Sequence, residues 1–137
     1  MRYVLLLLLS LALMGIVGCQ GDTRSTDPAA ESSRAAIREV SPSEAQKEVS
    51  KAYSQFVDVR EPAEYRAGHA SRSRNIPLST LADNLDMIER NEPVYLICQT
   101  SNRSREAAKT LASAGFKQVV VITGGTVAWQ ADGLPME

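Results

Sequence analysis

The sequence predicts an α/β fold in which a parallel β-sheet is flanked by helices on both faces. From about residue 37 onward, short apolar runs alternate with segments of helical periodicity. The run Val119–Thr123 is apolar and β-branched, which is typical of a strand buried on both faces of a parallel sheet. Strands that alternate with helices form such sheets, and functional sites collect at the carboxyl ends of their strands.

Six elements are predicted in the first half of this pattern. In chain order they are a strand Ile37–Val40, a helix from Ser41 to about Ala52, a strand Phe56–Val59, a helix Glu61–Ala67, an extended segment Asn75–Leu78 and a helix from Ser79 to about Arg90. The first helix opens with a capping box, Ser41-Pro-Ser-Glu44, that has proline at the first helical position. The last helix would place Leu81, Leu85 and Ile88 on one face.

Three further elements are predicted after residue 92. A strand begins at Pro93 and ends at Cys98, and a helix follows over Arg103–Ala114. That helix carries alanine and leucine at helical spacing and stops at Gly115. The buried run Val119–Thr123 is the last predicted strand.

The amino-terminal residues are typical of a secretory leader. Arg2 precedes an apolar stretch, Val4–Val17, which is too short for a comfortable membrane span. Ile16-Val-Gly-Cys19 resembles the lipobox of bacterial lipoproteins, in which cleavage leaves the cysteine lipidated. The alternative is an accidental cysteine beside an ordinary cleavage site. Gln20 stands where an aspartate would signal inner-membrane retention, which favours the outer membrane.

This interpretation divides the chain into a signal peptide (1–18), a lipidated polar linker (19–36) and a folded domain (37–137). It predicts an extracytoplasmic protein, anchored to a bacterial membrane through lipidated Cys19 at the outer membrane or the periplasmic face. The chain has 15 basic and 16 acidic side chains, so loss of Arg2 with the leader leaves 14 against 16, a formal charge of −2. That balance suggests no nucleic-acid partner.

Cys98 is the candidate nucleophile, because it lies between the end of a predicted strand and the start of a predicted helix. Backbone N–H groups of the turn and of the helix start point at such a sulfur, and Arg103 adds a positive charge, so the thiolate is favoured. The alternative is a small buried residue that ends a core strand. The polar loop Gln99–Arg103 favours the nucleophile. With Cys19 lipidated, Cys98 has no disulfide partner and no cysteine-based metal site, and no cofactor is predicted.

Four segments together resemble the single-domain rhodaneses, a family of sulfurtransferases. They are Asp58–His69, Asn75–Leu78, Cys98–Ser104 and Gly124–Pro135, and they occur in the order and spacing of that family. The resemblance covers about residues 37–137 and implies the rhodanese fold. It also implies that Cys98 takes a sulfane sulfur from a small anionic donor such as thiosulfate, becomes a persulfide, and passes the sulfur to cyanide or a thiol.

The resemblance also assigns roles around Cys98. Substrate binding falls to the loop residues Gln99, Thr100, Ser101, Asn102, Arg103 and Ser104. Asp58 and Arg60 are expected to pair in support of the site, and His69 is expected to be structural. Cys98 to Arg103 counts six residues, the rhodanese size, whereas related phosphatases use a loop one residue longer. A monomer is expected.

Two departures from the family pattern carry further expectations. Ser101 stands where the family often has glycine, so either the loop backbone differs or Ser101 is strained. Arg72 and Arg74 lie in an atypical segment and are hypothesised to form a basic rim that draws anionic donors toward Cys98. Two rival functions remain open: a membrane-tethered binding module that keeps the fold without turnover, and a cysteine phosphatase-like enzyme.

Overall fold

A five-stranded parallel sheet forms the centre of the domain in the computed structural model, which describes residues 36–137. The strands are β1 (Ala36–Val40), β2 (Gln55–Asp58), β3 (Arg74–Asn75), β4 (Val94–Ile97) and β5 (Gln118–Ile122), in the order β1-β5-β4-β2-β3. All four neighbouring pairs run parallel. The predicted parallel α/β architecture is therefore confirmed.

Helices cover both faces of the sheet. They are α1 (Pro42–Val49), α2 (Pro62–Arg66), a 3₁₀ segment (Leu78–Met87), α3 (Asn102–Ser113) and α4 (Gly125–Ala131). The capping box predicted for α1 is present in part, since the Ser41 hydroxyl accepts a hydrogen bond from the Glu44 N–H at 3.3 Å. Each crossover carries the chain back to the amino edge of the sheet, so all five strands end at the same edge.

The core consists of two apolar clusters, one on each face, because successive strand residues point to opposite sides. On one face Val57, Leu96 and Val121 pack with Leu111 of α3 and Leu81 of the 3₁₀ segment. On the other, Phe56, Tyr95, Ile97 and Val120 pack with Val49 of α1 and Trp129 of α4. The Trp129 indole is fully buried and donates to the Pro135 carbonyl at 3.0 Å. The apolar strands are thus buried on both faces, as a parallel sheet requires.

The predicted helix over Ser79–Arg90 is wrong in type and length. The segment is 3₁₀, spans Leu78–Met87, and has a non-helical kink at Asn84. Asn84 explains the change, because its side-chain N–H₂ donates to the Thr80 carbonyl at 2.8 Å and so takes the acceptor that an α-helix would give to a backbone N–H. Leu81 is still buried in the core, so the spacing of apolar residues does not distinguish a 3₁₀ segment from an α-helix here.

Other boundaries shift by a few residues. Helix α1 ends at Val49 rather than near Ala52, and β1 begins at Ala36, one residue inside the predicted linker. Helix α4 was not predicted as a helix.

The signal peptide, almost all of the linker and Cys19 lie outside the described residues. Between residues 36 and 137, no helix has the length and apolar character needed to cross a membrane.

The hypothesis that Arg72 and Arg74 form a rim around Cys98 is wrong. The Arg72 guanidinium donates to the carbonyls of Ser50 and Lys51, at 2.8 and 3.4 Å, and so caps the end of α1. Arg74 reaches Gln55, the first residue of β2. Both side chains lie toward the amino edge of the sheet, whereas Cys98 follows the carboxyl end of β4. Arg72 and Arg74 are close in sequence to a site motif, but the fold places their side chains at the edge of the sheet opposite Cys98.

Candidate active site

Cys98 is the residue directly after β4 and lies at the carboxyl edge of the sheet, four residues before α3. It is the free cysteine of the described residues and is 1 % exposed. This burial is deeper than a loop position suggests, and Cys98 packs among the core residues of one face. Burial by itself fits the alternative of a structural cysteine, so the hydrogen bonds to the sulfur decide between the two interpretations.

The Cys98 sulfur accepts hydrogen bonds from the loop that surrounds it. The Ser101 N–H donates to Sγ at 3.1 Å. Burial raises the pKa of the thiol, but donors that can reach the anionic sulfur, the Ser104 hydroxyl and the N–H groups of Ser104, Thr100 and Ser101, outweigh it, so the pKa of Cys98 lies below its ordinary value. A structural thiol in an apolar core would have a raised pKa. The loop therefore favours the thiolate.

Ser104 is a buried polar residue next to the Cys98 sulfur. Its side chain is fully buried in the first turn of α3, and the hydroxyl has no well-aligned hydrogen-bond acceptor among the described residues. A buried hydroxyl without a partner is unfavourable, whereas an anionic sulfur beside it is a strong acceptor. Ser104 is therefore placed to donate to Sγ when the sulfur carries a negative charge.

Ser101 holds the loop in a strained conformation. Its φ is 87°, in the left-handed region that favours glycine. This conformation turns the Ser101 N–H toward the sulfur, while the Ser101 hydroxyl accepts a hydrogen bond from the Gly124 N–H at 2.9 Å. Of the two alternatives that the sequence left open, strain at Ser101 is the one observed.

Helix α4 closes the loop from its outer side. The Thr126 N–H donates to the Cys98 carbonyl at 2.7 Å, and the Val127 N–H donates to the Gln99 carbonyl at 3.3 Å. Gly125 makes this approach possible, because a Cβ at that position would overlap the carbonyl groups of Cys98 and Gln99. The start of α4 thus fixes the orientation of the loop peptides.

Arg103 does not point at the sulfur. Its guanidinium forms a bidentate ion pair with Glu64 of α2, with Nη1–Oε2 at 2.6 Å and Nη2–Oε1 at 2.7 Å. The hydrogen bond from Arg103 is the main reason that the pKa of Glu64 falls to about 2. The hydrogen bonds of Arg103 thus go to Glu64 rather than to the sulfur, while the negative charge of Cys98 still contributes to the raised pKa of Arg103.

Asp58 and Arg60 form a buried pair beside the loop. Arg60 Nη2 donates to Asp58 Oδ2 at 2.7 Å and to the Gly68 carbonyl at 2.8 Å. Asp58 is fully buried and Arg60 is 6 % exposed, so each charge relies on the other. The predicted pairing is present, and it fixes the turn after β2 at the carboxyl edge.

A groove of about 320 Å³ lies next to the loop. It is lined by Arg60, Glu64, Ala67, Gly68, Gln99, Thr126, Val127 and Gln130. Gln99, Thr100 and Asn102 are exposed around the loop, whereas Ser101 and Ser104 are buried. Of the six predicted loop residues, three are therefore exposed and two are buried beside the sulfur, while Arg103 is half-buried in its ion pair with Glu64.

His69 has structural contacts with α2 and with the end of the chain. Its ring stacks on Tyr65 with centroids 3.7 Å apart, and its Nδ1 lies 3.0 Å from the Tyr65 carbonyl. Its backbone pairs with that of Glu137 through two hydrogen bonds of 2.8 Å. These contacts explain the residue as part of the packing around α2.

Three residues that shape the site were not singled out from the sequence. They are Glu64, Gly125 and Thr126. Glu64 is separated from Arg103 by 39 positions, so no local pattern predicts their pairing. The Gly124-Gly125 pair was a usable signal, since consecutive glycines indicate a close backbone approach or positive φ.

Known proteins resemble this chain over the part that contains the sheet and the loop. The model of the Rhodanese-like domain matches residues 41–132. The uncharacterized protein YqhL of Bacillus subtilis is 45 % identical over 76 residues, which are 56 % of this chain and 60 % of that protein. The thiosulfate sulfurtransferase GlpE of Ectopseudomonas mendocina is 33 % identical over 95 residues, which are 69 % of this chain and 86 % of GlpE.

Solved structures agree with the sequence comparison. The crystal structure of a rhodanese-related protein from Thermoplasma volcanium superposes with a TM-score of 0.66 at 30 % identity, over 73 % of this chain and 97 % of that one. The matched region spans only about three fifths of YqhL. Since the family match includes the sheet, the Cys98 loop and the helix that closes it, this chain belongs to the rhodanese-like domain family.

Proposed function

We propose that this protein is a sulfurtransferase that works through a persulfide on Cys98. The observation that carries the proposal is the sulfur itself, which accepts N–H hydrogen bonds from a strand-to-helix loop and has a lowered pKa despite its burial. A thiolate is the reactive form of cysteine, and the same amides can stabilise a persulfide anion. Relatives that are named thiosulfate sulfurtransferase support this choice among rhodanese-like proteins.

The proposed reaction is two sulfur transfers with no net redox change. With thiosulfate as donor, the Cys98 thiolate attacks the outer sulfur, the bond between the two thiosulfate sulfurs breaks, and sulfite leaves as the dianion. The product is a Cys98 persulfide anion. A thiol or cyanide then attacks the outer sulfur of the persulfide, which restores the thiolate.

Mass spectrometry of the intact protein tests the proposal. After treatment with thiosulfate and removal of excess donor, we expect a mass gain of one sulfur atom, and subsequent addition of cyanide should remove it and yield thiocyanate. Cys98→Ser should abolish the gain, whereas Cys19→Ser is the matched cysteine control and should retain it. If wild-type protein gains no sulfur from thiosulfate or from an organic persulfide, the rival binding module is favoured.

We also propose that the protein is lipid-anchored outside the cytoplasm through Cys19. The support is the apolar stretch Val4–Val17 and the lipobox-like Ile16–Cys19. Cells fed an alkyne fatty acid should label the wild-type protein and leave Cys19→Ala unlabelled, with Cys98→Ser as the labelled control. Equal labelling of wild type and Cys19→Ala would contradict the anchor.

A further inference from the structure

The Ser101 side chain connects the Cys98 loop to the start of α4, and it is 2 % exposed. Its hydroxyl accepts a hydrogen bond from the Gly124 N–H at 2.9 Å and donates one to the Thr100 carbonyl. The oxygen and the proton of this buried hydroxyl therefore both have a partner.

The peptide group between Thr100 and Ser101 is bonded at both ends. Its carbonyl accepts the hydrogen bond from the Ser101 hydroxyl, and its N–H donates to the Cys98 sulfur at 3.1 Å. A trans peptide group is planar, so its carbonyl and its N–H point in opposite directions. The direction of the carbonyl therefore decides whether the N–H faces the sulfur.

The backbone preference of serine opposes this orientation. Ser101 has φ 87° and ψ −15°, close to the third residue of a type II turn, at about 80° and 0°, where glycine is favoured. In a type I turn the same peptide group is turned over, and the third residue has a φ of about −90°, which a serine adopts without strain. Reversal of the peptide group would thus relax Ser101 but turn its N–H away from Cys98.

The start of α4 keeps the Ser101 hydroxyl in place. Gly124 directly precedes α4, and the Thr126 N–H in the first turn of that helix donates to the Cys98 carbonyl at 2.7 Å. One short segment therefore holds both the residue that carries the sulfur and the hydroxyl that bonds the peptide group. Reversal of the peptide group would break the hydrogen bond from Ser101 to the Thr100 carbonyl, so the hydroxyl favours the strained orientation.

We propose that Ser101 is a positioning residue whose hydroxyl, held by Gly124, keeps the peptide group between Thr100 and Ser101 in the orientation that directs its N–H at the Cys98 sulfur. This inference rests on the proposed function, and it names the side chain that prepares the loop for sulfur transfer. A carbonyl oxygen facing the sulfur would repel a thiolate and a persulfide anion alike. The strain at Ser101 is thus offset by the hydrogen bonds of its own side chain.

Two substitutions separate the hydroxyl from the strain. Ser101→Ala removes the hydroxyl and keeps a side chain that disfavours positive φ, so the reversed peptide group should predominate. Ser101→Gly also removes the hydroxyl, but glycine adopts both orientations. For transfer from thiosulfate to cyanide, we expect kcat/KM on the acid side of the pH profile to fall roughly tenfold in Ser101→Ala and about threefold in Ser101→Gly.

The pH dependence distinguishes positioning from general damage to the loop. At high pH Cys98 is ionised in every variant, so both losses of kcat/KM should shrink as the pH rises. Damage to the loop would lower kcat/KM by the same factor at every pH.

Ser73→Ala is the matched control. The Ser73 side chain is buried like that of Ser101, and its hydroxyl donates to the Ala70 carbonyl at 2.7 Å. Ser73 directly precedes β3, at the amino edge of the sheet and away from Cys98. Loss of its hydroxyl should lower the free energy of unfolding and leave the pH profile in place.

The thiolate itself gives a second measurement that needs no turnover. In the full chain with Cys19→Ser, Cys98 is the remaining one of the two cysteines, so the ultraviolet absorbance of the thiolate reports on it alone. The titration of this absorbance should move to higher pH in both Ser101 variants and stay in place in Ser73→Ala.

The outcomes separate this inference from the proposed function. A wild-type titration in Ser101→Gly overturns the inference, because positive φ alone would then direct the N–H. An equal displacement in Ser73→Ala and in the Ser101 variants overturns it too, since any lost buried hydroxyl would then have the same effect. Wild-type protein that transfers no sulfur overturns the proposed function, while the titrations still decide whether Ser101 positions the peptide group.

Discussion

At the scale of single residues, the site depends on how the loop favours the anionic form of one buried sulfur. Burial opposes the charge on Cys98, and donors supplied by Thr100, Ser101 and Ser104 overcome it. The Ser101 strain is part of that arrangement, because the left-handed conformation turns its N–H toward the sulfur. The thiolate is thus favoured by the orientation of backbone N–H groups and by one hydroxyl, whereas Arg103 is paired with Glu64.

Replacement of the Ser104 hydroxyl tests this explanation. Ser104→Ala removes a donor to the thiolate, so we expect the pKa of Cys98 to rise and the activity profile to move to higher pH. On its acid side, the rate should fall roughly fivefold, which corresponds to about 1 kcal/mol for one hydrogen bond. The thiolate absorbance as a function of pH gives an independent measurement.

The exposed Ser113 at the end of α3 offers the matched control. Ser113→Ala removes a hydroxyl from the same helix far from the sulfur and should leave the profile in place. An unchanged profile in Ser104→Ala would mean that the backbone amides alone hold the thiolate.

At the scale of secondary-structure elements, helix α4 positions the loop that follows β4. The first turn of α4 donates to the carbonyls of Cys98 and Gln99, and this approach needs a residue without a side chain at Gly125. Two elements from different parts of the chain therefore build one site. The contact depends on backbone groups, so side-chain changes in α4 matter less than a change in its starting residue.

Gly125→Ala and Gly133→Ala separate crowding from backbone strain. Both glycines have positive φ, at 57° and 67°, but a Cβ at Gly133 meets nothing within 4 Å. Gly133→Ala should lower the free energy of unfolding by about 1 kcal/mol and retain sulfur transfer. Gly125→Ala should lower it by about 3 kcal/mol or more and reduce sulfur transfer by at least tenfold, because the loop must shift.

Urea unfolding and persulfide formation measure the two effects. Equal losses of stability and activity in both variants would show that the close approach of α4 has no special role.

The limits of prediction are clearest among the elements. The position of Cys98 between a strand and a helix was predictable, because the apolar run and the helical spacing are local patterns. The 3₁₀ segment was not, since Leu81, Leu85 and Ile88 satisfy a helical pattern while Asn84 breaks the backbone ladder. Helix α4 has only 7 residues and starts with glycine, so its signal was weak. The pairing of Glu64 with Arg103 depends on tertiary structure.

At the scale of the whole molecule, ion pairs connect elements that the sheet alone would leave separate. Arg103 links α3 to α2 through Glu64, and Arg105 links α3 to β1 through Glu39. The pKa of Glu64 falls from 4.5 to about 2 in the folded protein. A lowered carboxyl pKa stabilises the folded state fully above the unfolded value of 4.5, and this contribution disappears as the pH falls toward 2.

Glu64→Gln should therefore have a pH-dependent effect on stability. At pH 7 we expect its free energy of unfolding to be lower than that of wild type by about 1 kcal/mol, a value discounted because the pair is partly exposed to solvent. The difference should vanish as the pH approaches 2. Urea titrations of both proteins across this range measure it, and Glu92→Gln should show no such trend. A constant difference at all pH values would contradict the role of the Glu64 charge.

The depth of Cys98 has a final consequence for reactions that compete with turnover. With 1 % of the residue exposed, we expect large disulfide-containing proteins and bulky alkylating dyes to react with the resting sulfur more slowly than small reagents do. In the proposed persulfide, the outer sulfur would lie about 2 Å from the Cys98 sulfur along the new bond. The burial of Cys98 is thus expected to protect the resting cysteine from side reactions with large reagents.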